Sequence, residues 1–364
     1  MKFQNVLAVE TSCDDTSAAI VTAEGFVRSV VSASQVQAHL PFGGIVPEIA
    51  SRNHTHYLLP IIDEALKQSG LSLSEIDGFV VTSAPGLIGS LLVGLVSIKS
   101  LALAEGKPFI GVNHLEGHLL APFLKDARYA PPEDFDYPYV GLAISGGHTS
   151  LYEIVGLGEY RVLGHTIDDA AGEAFDKFAK MIGLGFPGGV FVDQVAAMGG
   201  RVDAFAFPRA LSREESFNFS FSGLKTSGQR AVENLPVAQR EQLKSELQMW
   251  REKKLPQGSL LSDLCASFQE AIVDILILRL QQGCVRTKSK RAVLTGGVSA
   301  NSRLRLRAQA WADSAGVQLV VPPVRYCTDN AAMIGYAGIL RMNRGETSKQ
   351  DLGPSPKAPI GSSF

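Results

Sequence analysis

Residues 5–22 read NVLAVETSCDDTSAAIVT, and residues 139–156 read YVGLAISGGHTSLYEIVG. Each is an apolar, β-branched run, then a polar turn, then a second apolar run, which is the pattern of two antiparallel strands joined by a hairpin. The likeness reaches residue identity: Ser12-x-x-x-Thr16-Ser17 lines up with Ser145-x-x-x-Thr149-Ser150, each just after an apolar strand. Two strand–turn–strand units, each opening about half of the chain, imply a duplicated lobe. A further strand is expected around FVRSVVSA (26–33).

Working outward, strands alternate with helices. Pro47–Gly70 carries Ile49, Leu58, Leu59, Ile62 and Leu66 at helical spacing and stops at Gly70, a natural C-cap. IDGFVVTSAPG (76–86) reads as a buried strand and a turn, and PFIGV (108–112) as a short strand running into NHLEGHLLAPFL. In the second half, DDAAGEAFDKFAKMIGL (168–184) is a helix with an acidic first turn, which suits the positive helix end. Leu260–Gln281 is a long apolar helix. RAVLTGGVSANSRLRLRAQAWA (291–312) is strand, Gly-Gly turn and helix, with Ser299 as N-cap. VQLVVPP is a strand, and TDNAAMIGYAGIL is a capped final helix. The expected class is therefore α/β with mixed sheets in two lobes. The first lobe spans 1–137 and the second 138–333, with the helix 334–345 free to pack back on the first. Residues 238–258, charged and amphipathic, form a solvated helix or inserted arm, and the Pro-, Gly- and Ser-rich tail 346–364 is irregular.

Composition narrows the function. The 364 residues are 45% hydrophobic and 19% charged, those of a globular protein with a substantial core. The formal net charge of −2 provides no global attraction to nucleic acid, so RNA contact would need a local basic patch or a partner. Arg286, Lys288, Lys290 and Arg291 form such a cluster, although a solvated loop accounts for it as well. The four cysteines (Cys13, Cys265, Cys284, Cys327) have no paired spacing, against a disulfide framework or a cysteine zinc site and in keeping with a reducing compartment. The N-terminus lacks the apolar core of a signal peptide. Gly86–Ala104 approaches the length of a membrane span but holds Lys99, serines and three glycines, so it is read as a buried core helix, with no membrane role. A cytoplasmic protein is expected.

Three groups of residues can do chemistry. His114 and His118 lie at i and i+4 of a helical segment, so both imidazoles leave one face, a spacing that suits two ligands of one metal. Glu116 lies ~200° around the same helix from His114 and cannot serve as the base of an HExxH-type protease. His54 and His56 likewise point apart. The second group is the Gly-Gly turns: Ser145-Gly146-Gly147 joins two strands, and Gly296-Gly297 stands ahead of a helix. Exposed backbone N–H groups there make anion sites, while a tight turn needing positive φ is the plain alternative for either alone. The third group is turn carboxylates, namely Asp14, Asp15, Asp168, Asp169, Asp176, Asp193 and Asp329. Capping is the default reading of Asp329. Asp193, set among apolar residues after Pro187-Gly188-Gly189, calls for a partner such as a ribose hydroxyl.

Together VETSCDDTSAA, GGIVPEIASRNH, APGLIGSLLVGL, NHLEGHLLAPF, ISGGHTSL, DDAAGEAFDK, FPGG, FSFSGLKT, TGGVSANSRLR and TDNAAMIGYAG resemble the tRNA threonylcarbamoyladenosine transferase family (bacterial TsaD; older label O-sialoglycoprotein endopeptidase) from about residue 5 to about residue 340. The resemblance implies a two-lobed actin/Hsp70/sugar-kinase fold with duplicated mixed sheets and an interlobe nucleotide cleft. It implies transfer of a threonylcarbamoyl group from threonylcarbamoyl-AMP to N6 of adenosine 37 in tRNAs that read codons beginning with A. It adds Asp329 to His114 and His118 as ligands of one divalent metal, Fe2+ in first place, with Zn2+ and Mg2+ as alternatives. It puts substrate or nucleotide contacts on Ala143, Ile144, Ser145, Gly146, Gly147, Asp176, Gly189, Asp193 and Asn301. The catalytic pair falls on Asp14 and Asp15, where many relatives have Asp-Glu, which puts a role needing the longer side chain in question. TsaB-like and TsaE-like proteins are the implied partners. The competing reading is an ATPase or small-molecule kinase of the same fold, which would leave both histidines without a task.

Overall fold

The structure is a computed structural model that describes residues 2–211 and 216–360. The chain opens with β1 (Asn5–Glu10), β2 (Asp15–Thr22) and β3 (Val27–Ser34), then α1 (Val36–His39) and α2 (Pro47–Ser69). β4 (Gly78–Ala84), α3 (Ile88–Glu105), β5 (Phe109–Asn113) and α4 (His114–Leu120) follow. The second hairpin is β6 (Tyr139–Ile144) and β7 (Thr149–Gly156), extended by β8 (Glu159–His165), a strand the apolar pattern did not announce. Then come α5 (Ala171–Ile182), α6 (Gly188–Ala196), α7 (Ser222–Glu233), α8 (Val237–Arg251) and α9 (Leu260–Thr287). β9 (Arg291–Thr295), α10 (Ser302–Ala315), β10 (Gln318–Val320), α11 (Val324–Cys327) and α12 (Ala331–Met342) complete it.

Two five-stranded sheets result, in the orders β3-β2-β1-β4-β5 and β10-β9-β6-β7-β8. Counting from each first strand, both run 3-2-1-4-5, so the duplication seen in the two hairpins extends to all ten strands. Each is mixed: β1–β2 and β6–β7 are antiparallel, whereas β1–β4 and β6–β9 are parallel. The chain forms two compact units, one of residues up to Phe135, Leu157–Tyr160 and everything from Pro322 onward, the other of Asp136–Gly156 and Arg161–Val321. The sequence division left 322–333 with the second lobe; in the compact units this stretch, Asp329 included, goes with the first.

In the first unit strand parity sorts the side chains. Leu7, Val9, Phe79 and Val81 join Leu58, Ile62, Leu95 and Ile98 of α2 and α3 in one core cluster. Val6, Ala8 and Glu10 therefore face the other side, where α12 and α4 pack. That layer is unusually close because glycines make it. A Cβ on Gly338 would stand 2.3 Å from a Val80 methyl, and one on Gly117 of α4 would stand 2.8 Å from Ile334 of α12. Such approaches exclude any side chain, so the α4–α12 spacing is set by backbone. Of the helix positions expected to be apolar and inward, Leu58 and Ile62 are buried but Leu59 is exposed. α3 is long and apolar enough to cross a membrane by length and composition. It was expected to be a buried helix, and it is buried along one face only. Leu91, Leu95 and Ile98 pack inward, while Leu92, Val96 and Leu103 are exposed.

In the second unit α9 is buried almost all round and carries the core with Phe175, Phe178, Phe219 and Phe268. α8, the expected arm, is a helix that buries Leu243 and Glu246, the latter accepting from the Leu261 N–H at 2.7 Å near the start of α9. Two local expectations change here. Asp168 and Asp169 precede α5 instead of forming its first turn, where Glu173 stands. The N-cap of α10 is Asn301, whose side chain accepts from the Leu304 N–H, while Ser299 sits in a short 3-10 turn (Gly297–Ala300).

Candidate functional site

β5 ends at Asn113, whose side-chain oxygen accepts the Leu115 N–H at 2.9 Å and so starts α4. His114 and His118 then leave the same face, their rings edge to face with centroids 4.7 Å apart. Asp329 stands before α12, but the cap of that helix is Asn330, which accepts from the Met333 N–H. The capping reading of Asp329 is thus overturned, and its carboxylate is left to face the histidines. His118 Nε2 lies 3.1 Å and His114 Nε2 3.4 Å from Asp329 Oδ1. One donor atom from each of the three residues lies within 4.8 Å of the others, all within the first unit.

Behind this set stands Glu10, which the sequence reading did not single out. Its Oε2 accepts from His114 Nδ1 at 2.9 Å, and it also takes the Ser12 N–H and the Thr82 hydroxyl. A proton on Nδ1 leaves the Nε2 lone pair of His114 aimed at Asp329, the arrangement by which a carboxylate orients a metal-binding imidazole. His118 Nδ1 is buried with no partner among the described residues. Burial works against charge on all of these groups. For Glu10 and Asp329 it is outweighed by the histidines, which hold both carboxyls below their ordinary values. For His114 the carboxylates win and its pKa rises, whereas burial prevails at His118 and lowers it. Two buried imidazole nitrogens and a half-buried carboxylate oxygen fit a divalent metal of the iron or zinc type. Glu116 is turned elsewhere, accepting from the Tyr160 hydroxyl and pairing with Arg341. Peptidase-like use of that carboxylate has no geometric basis.

The first turn approaches the same set. Asp15 opens β2 opposite Ser34. Burial, with the charges of Asp14 and Asp329 adding, pushes its carboxyl up to about 7, and burial raises Asp14 as well. His54, buried in α2, braces this turn through Thr16 Oγ1 at 2.8 Å and the Cys13 carbonyl at 2.9 Å, while His56 is exposed.

In the second unit Ala143–Gly147 lie at the carboxyl end of β6 and Asn301 follows the carboxyl end of β9, while Asp176 is on α5 and Gly189 and Asp193 are on α6. Ala143 and Ile144 are the buried end of β6. In the turn that follows, Ser145 Oγ accepts the His148 N–H at 3.1 Å, and a Cβ on Gly146 or Gly147 would meet nothing. Neither glycine has positive φ, so the tight-turn account fails for this pair. It holds for Gly296, at φ +85° with Ile144 O only 2.4 Å from its would-be Cβ, whereas Gly297 faces open space. Asp176 Oδ1 accepts the Gly188 N–H at 2.7 Å, fixing the turn that presents Gly189. Asp193 accepts from both the N–H and the hydroxyl of Ser302. Asn301 donates to Gln269 while capping α10. Asp176 thus holds the glycine-bearing turn before α6, and Asp193 and Asn301 hold the start of α10. Asp168, by contrast, gathers Ser220, Phe221 and Ser222 at the start of α7.

Comparison with known proteins bears on this geometry. The family model for tRNA N6-adenosine threonylcarbamoyltransferase (TsaD) matches residues 26–336. A protein of that name from Bdellovibrio bacteriovorus is 63% identical over 355 residues, covering 98% of either chain. One from Anaeromyxobacter dehalogenans is 49% identical, covering 96% of this chain and 98% of its own. Among solved structures, T. kodakarensis HypF superposes with a TM-score of 0.59 at 13% identity, over 96% of this chain and 49% of that one. Component A of the Acidaminococcus fermentans (R)-2-hydroxyglutaryl-CoA dehydratase gives 0.50 at 12%, over 94% and 99%. At such identities these two speak for the fold alone, which is of the actin/Hsp70/sugar-kinase type. By sequence, the chain belongs to the tRNA N6-adenosine threonylcarbamoyltransferase family.

Proposed function

We propose that this chain forms N6-threonylcarbamoyladenosine at position 37 of tRNAs that read codons beginning with A, taking the group from threonylcarbamoyl-AMP. The observation that carries the reading is the convergence of His114, His118 and Asp329 in a chain of this family. The N6 amine adds to the carbamoyl carbon, the bond from that carbon to the phosphate oxygen breaks, AMP leaves with the electron pair, and the amine gives up a proton. His114, His118 and Asp329 would hold a divalent ion, Fe2+ ahead of Zn2+ and with Mg2+ least suited to two imidazoles, and such an ion would supply Lewis acidity. Glu10 keeps His114 in the ligating tautomer. Asp15, with its carboxyl raised to about 7 by burial and by the charge of Asp14, is matched to accepting the proton near neutral pH. Backbone N–H groups at Gly146, Gly147 and Gly297 receive phosphate oxygens, and Asp176, Asp193 and Asn301 hold the turns that contact the nucleoside. TsaB-like and TsaE-like proteins are the partners in this scheme, and the cytoplasm is its setting.

The test is reconstitution with tRNA, threonylcarbamoyl-AMP and those partners, followed by nucleoside analysis. Modified adenosine from the wild-type chain and none from His114→Ala is the expected result. Equal yields from both would remove the metal-centred part. ATP hydrolysis or sugar phosphorylation without modified adenosine would favour the kinase-like alternative, which no residue around His114 requires.

A further inference from the structure

We propose that the C-terminal strap, residues 354–360, is a working part of the metal centre, holding the two segments that flank His114 so that α4 keeps its imidazoles on Asp329. The inference rests on reading His114, His118 and Asp329 as metal ligands. Residues 346–360 form no helix or strand, in keeping with an irregular tail, yet they are tied to the first unit throughout. Ser348 donates its N–H to the Phe109 carbonyl at 2.8 Å and accepts the Gly111 N–H at 3.0 Å. The Leu352 carbonyl accepts from Lys99 Nζ at 2.8 Å, and the Leu352 side chain joins the α2–α3 core. These contacts anchor the strap by packing.

Beyond Gly353 the contacts change in kind. The residues bury little, but their backbone groups go to Ser83, Gly86 and Asn113, the last of these next to His114. The Ser355 N–H donates to the Ser83 carbonyl at 2.9 Å, and the Pro356 carbonyl accepts the Gly86 N–H at 3.3 Å. The next residue, Leu87, donates to the Ser12 carbonyl at 2.8 Å, and Ser12 Oγ lies 3.2 Å from His114 Nδ1. On the other flank, the carbonyls of Ala358 and Pro359 accept from the Asn113 amide at 3.3 and 3.5 Å. Those two acceptors can face only the NH2 side, so they orient Asn113 with its oxygen toward Leu115 N–H, the cap from which α4 begins. The strap thus reaches His114 by two routes, through the Gly86–Ser12 contact and through the cap of its own helix. Asn113 and the strap are positioning elements, outside the ligand set itself.

The test uses Co2+ as the probe, its ligand-field absorption reporting both affinity and geometry. The full chain is compared with a chain ending at Gly353, with Asn113→Ser in the full chain, and with both changes together. Serine keeps a capping oxygen and loses the amide donor. Expected is a ~3- to 10-fold weaker Co2+ affinity for the shortened chain, with an altered spectrum and a melting temperature within about 2 °C of the full chain. Asn113→Ser should give a similar loss, and the double change no more than either alone. Equal Co2+ affinity with and without residues 354–364, or an Asn113→Ser loss of the same size in both backgrounds, would overturn the proposal. If the shortened chain does not fold, the full-length Asn113→Ser spectrum decides: an unchanged one overturns it. Absence of Co2+ binding by the full chain would break the ligand assignment first, and this inference with it.

Discussion

The two hairpins that open the sheets share a topology and differ in what their turns present. In the first, Thr11–Asp14 and Asp15 crowd carboxylates beside β1, and the layer behind it holds α4 and α12 at glycine spacing. In the second, Ser145–His148 presents bare backbone, with Gly146 and Gly147 open to the outside. On the function proposed above, one copy of the scaffold serves cations and protons and the other serves anions. A hairpin between a parallel core strand and its antiparallel neighbour puts four turn residues at a sheet's edge. Which charge they attract depends on whether the turn presents carboxylate side chains or uncovered backbone N–H groups.

That contrast can be broken at several points. The largest effect is expected on the acidic side. His114→Ala or His118→Ala should abolish metal retention and lower modified-adenosine formation by at least ~100-fold, read by elemental and nucleoside analysis. Glu10→Gln should retain the fold and weaken metal binding by about 10- to 100-fold in a titration, since His114 loses its charged orienting partner. On the glycine side, Gly296→Ala should cost roughly 2–4 kcal/mol in urea unfolding, because φ is positive and the Ile144 carbonyl stands in the way. Asp15→Asn tests the first turn by pH. The folded state raises this carboxyl from 3.8 to about 7, so the folded chain binds the proton more tightly than the unfolded one. Wild-type stability is then full below about pH 4 and falls as pH rises through 7. The Asn variant should lack this loss and be ~1–2 kcal/mol the more stable at pH 8 after allowance for solvent screening, with no difference at pH 4. Smallest is Gly147→Ala, within about 0.5 kcal/mol on stability, since its Cβ meets open space, but with weaker nucleotide binding by calorimetry.

What could be read from residue order alone was whatever is local or periodic. The hairpins, the helical face shared by His114 and His118, and the disengagement of Glu116 follow from spacing within a few residues. Glu10 escaped because its task depends on which face of β1 receives α4. Parity along NVLAVE, with Leu7 and Val9 turned to α2 and α3, would have placed it opposite them had that packing been known. Asn301 and Asn330 took caps expected of Ser299 and Asp329 because one residue of backbone geometry decides which side chain reaches the N–H groups. α3 was read as a buried core helix because Lys99, its serines and its glycines spoke against a membrane span, and composition does not say how many faces a helix finds covered. The tail has the composition of a free end, and apart from Leu352 and the Ser348 hydroxyl its docking rests on backbone groups that no side-chain pattern reports.

The handover between Asp329 and Asn330 has a practical side. Helix formation and charge placement, combined in one residue at many helix starts, are here split between neighbours. Because the cap is Asn330, replacing Asp329 by Ala should leave the cap and the α12 packing intact. Asp329→Ala is therefore the natural reference variant for the proposed site, expected to fold, to keep its glycine turns and to lose one anion beside two imidazoles.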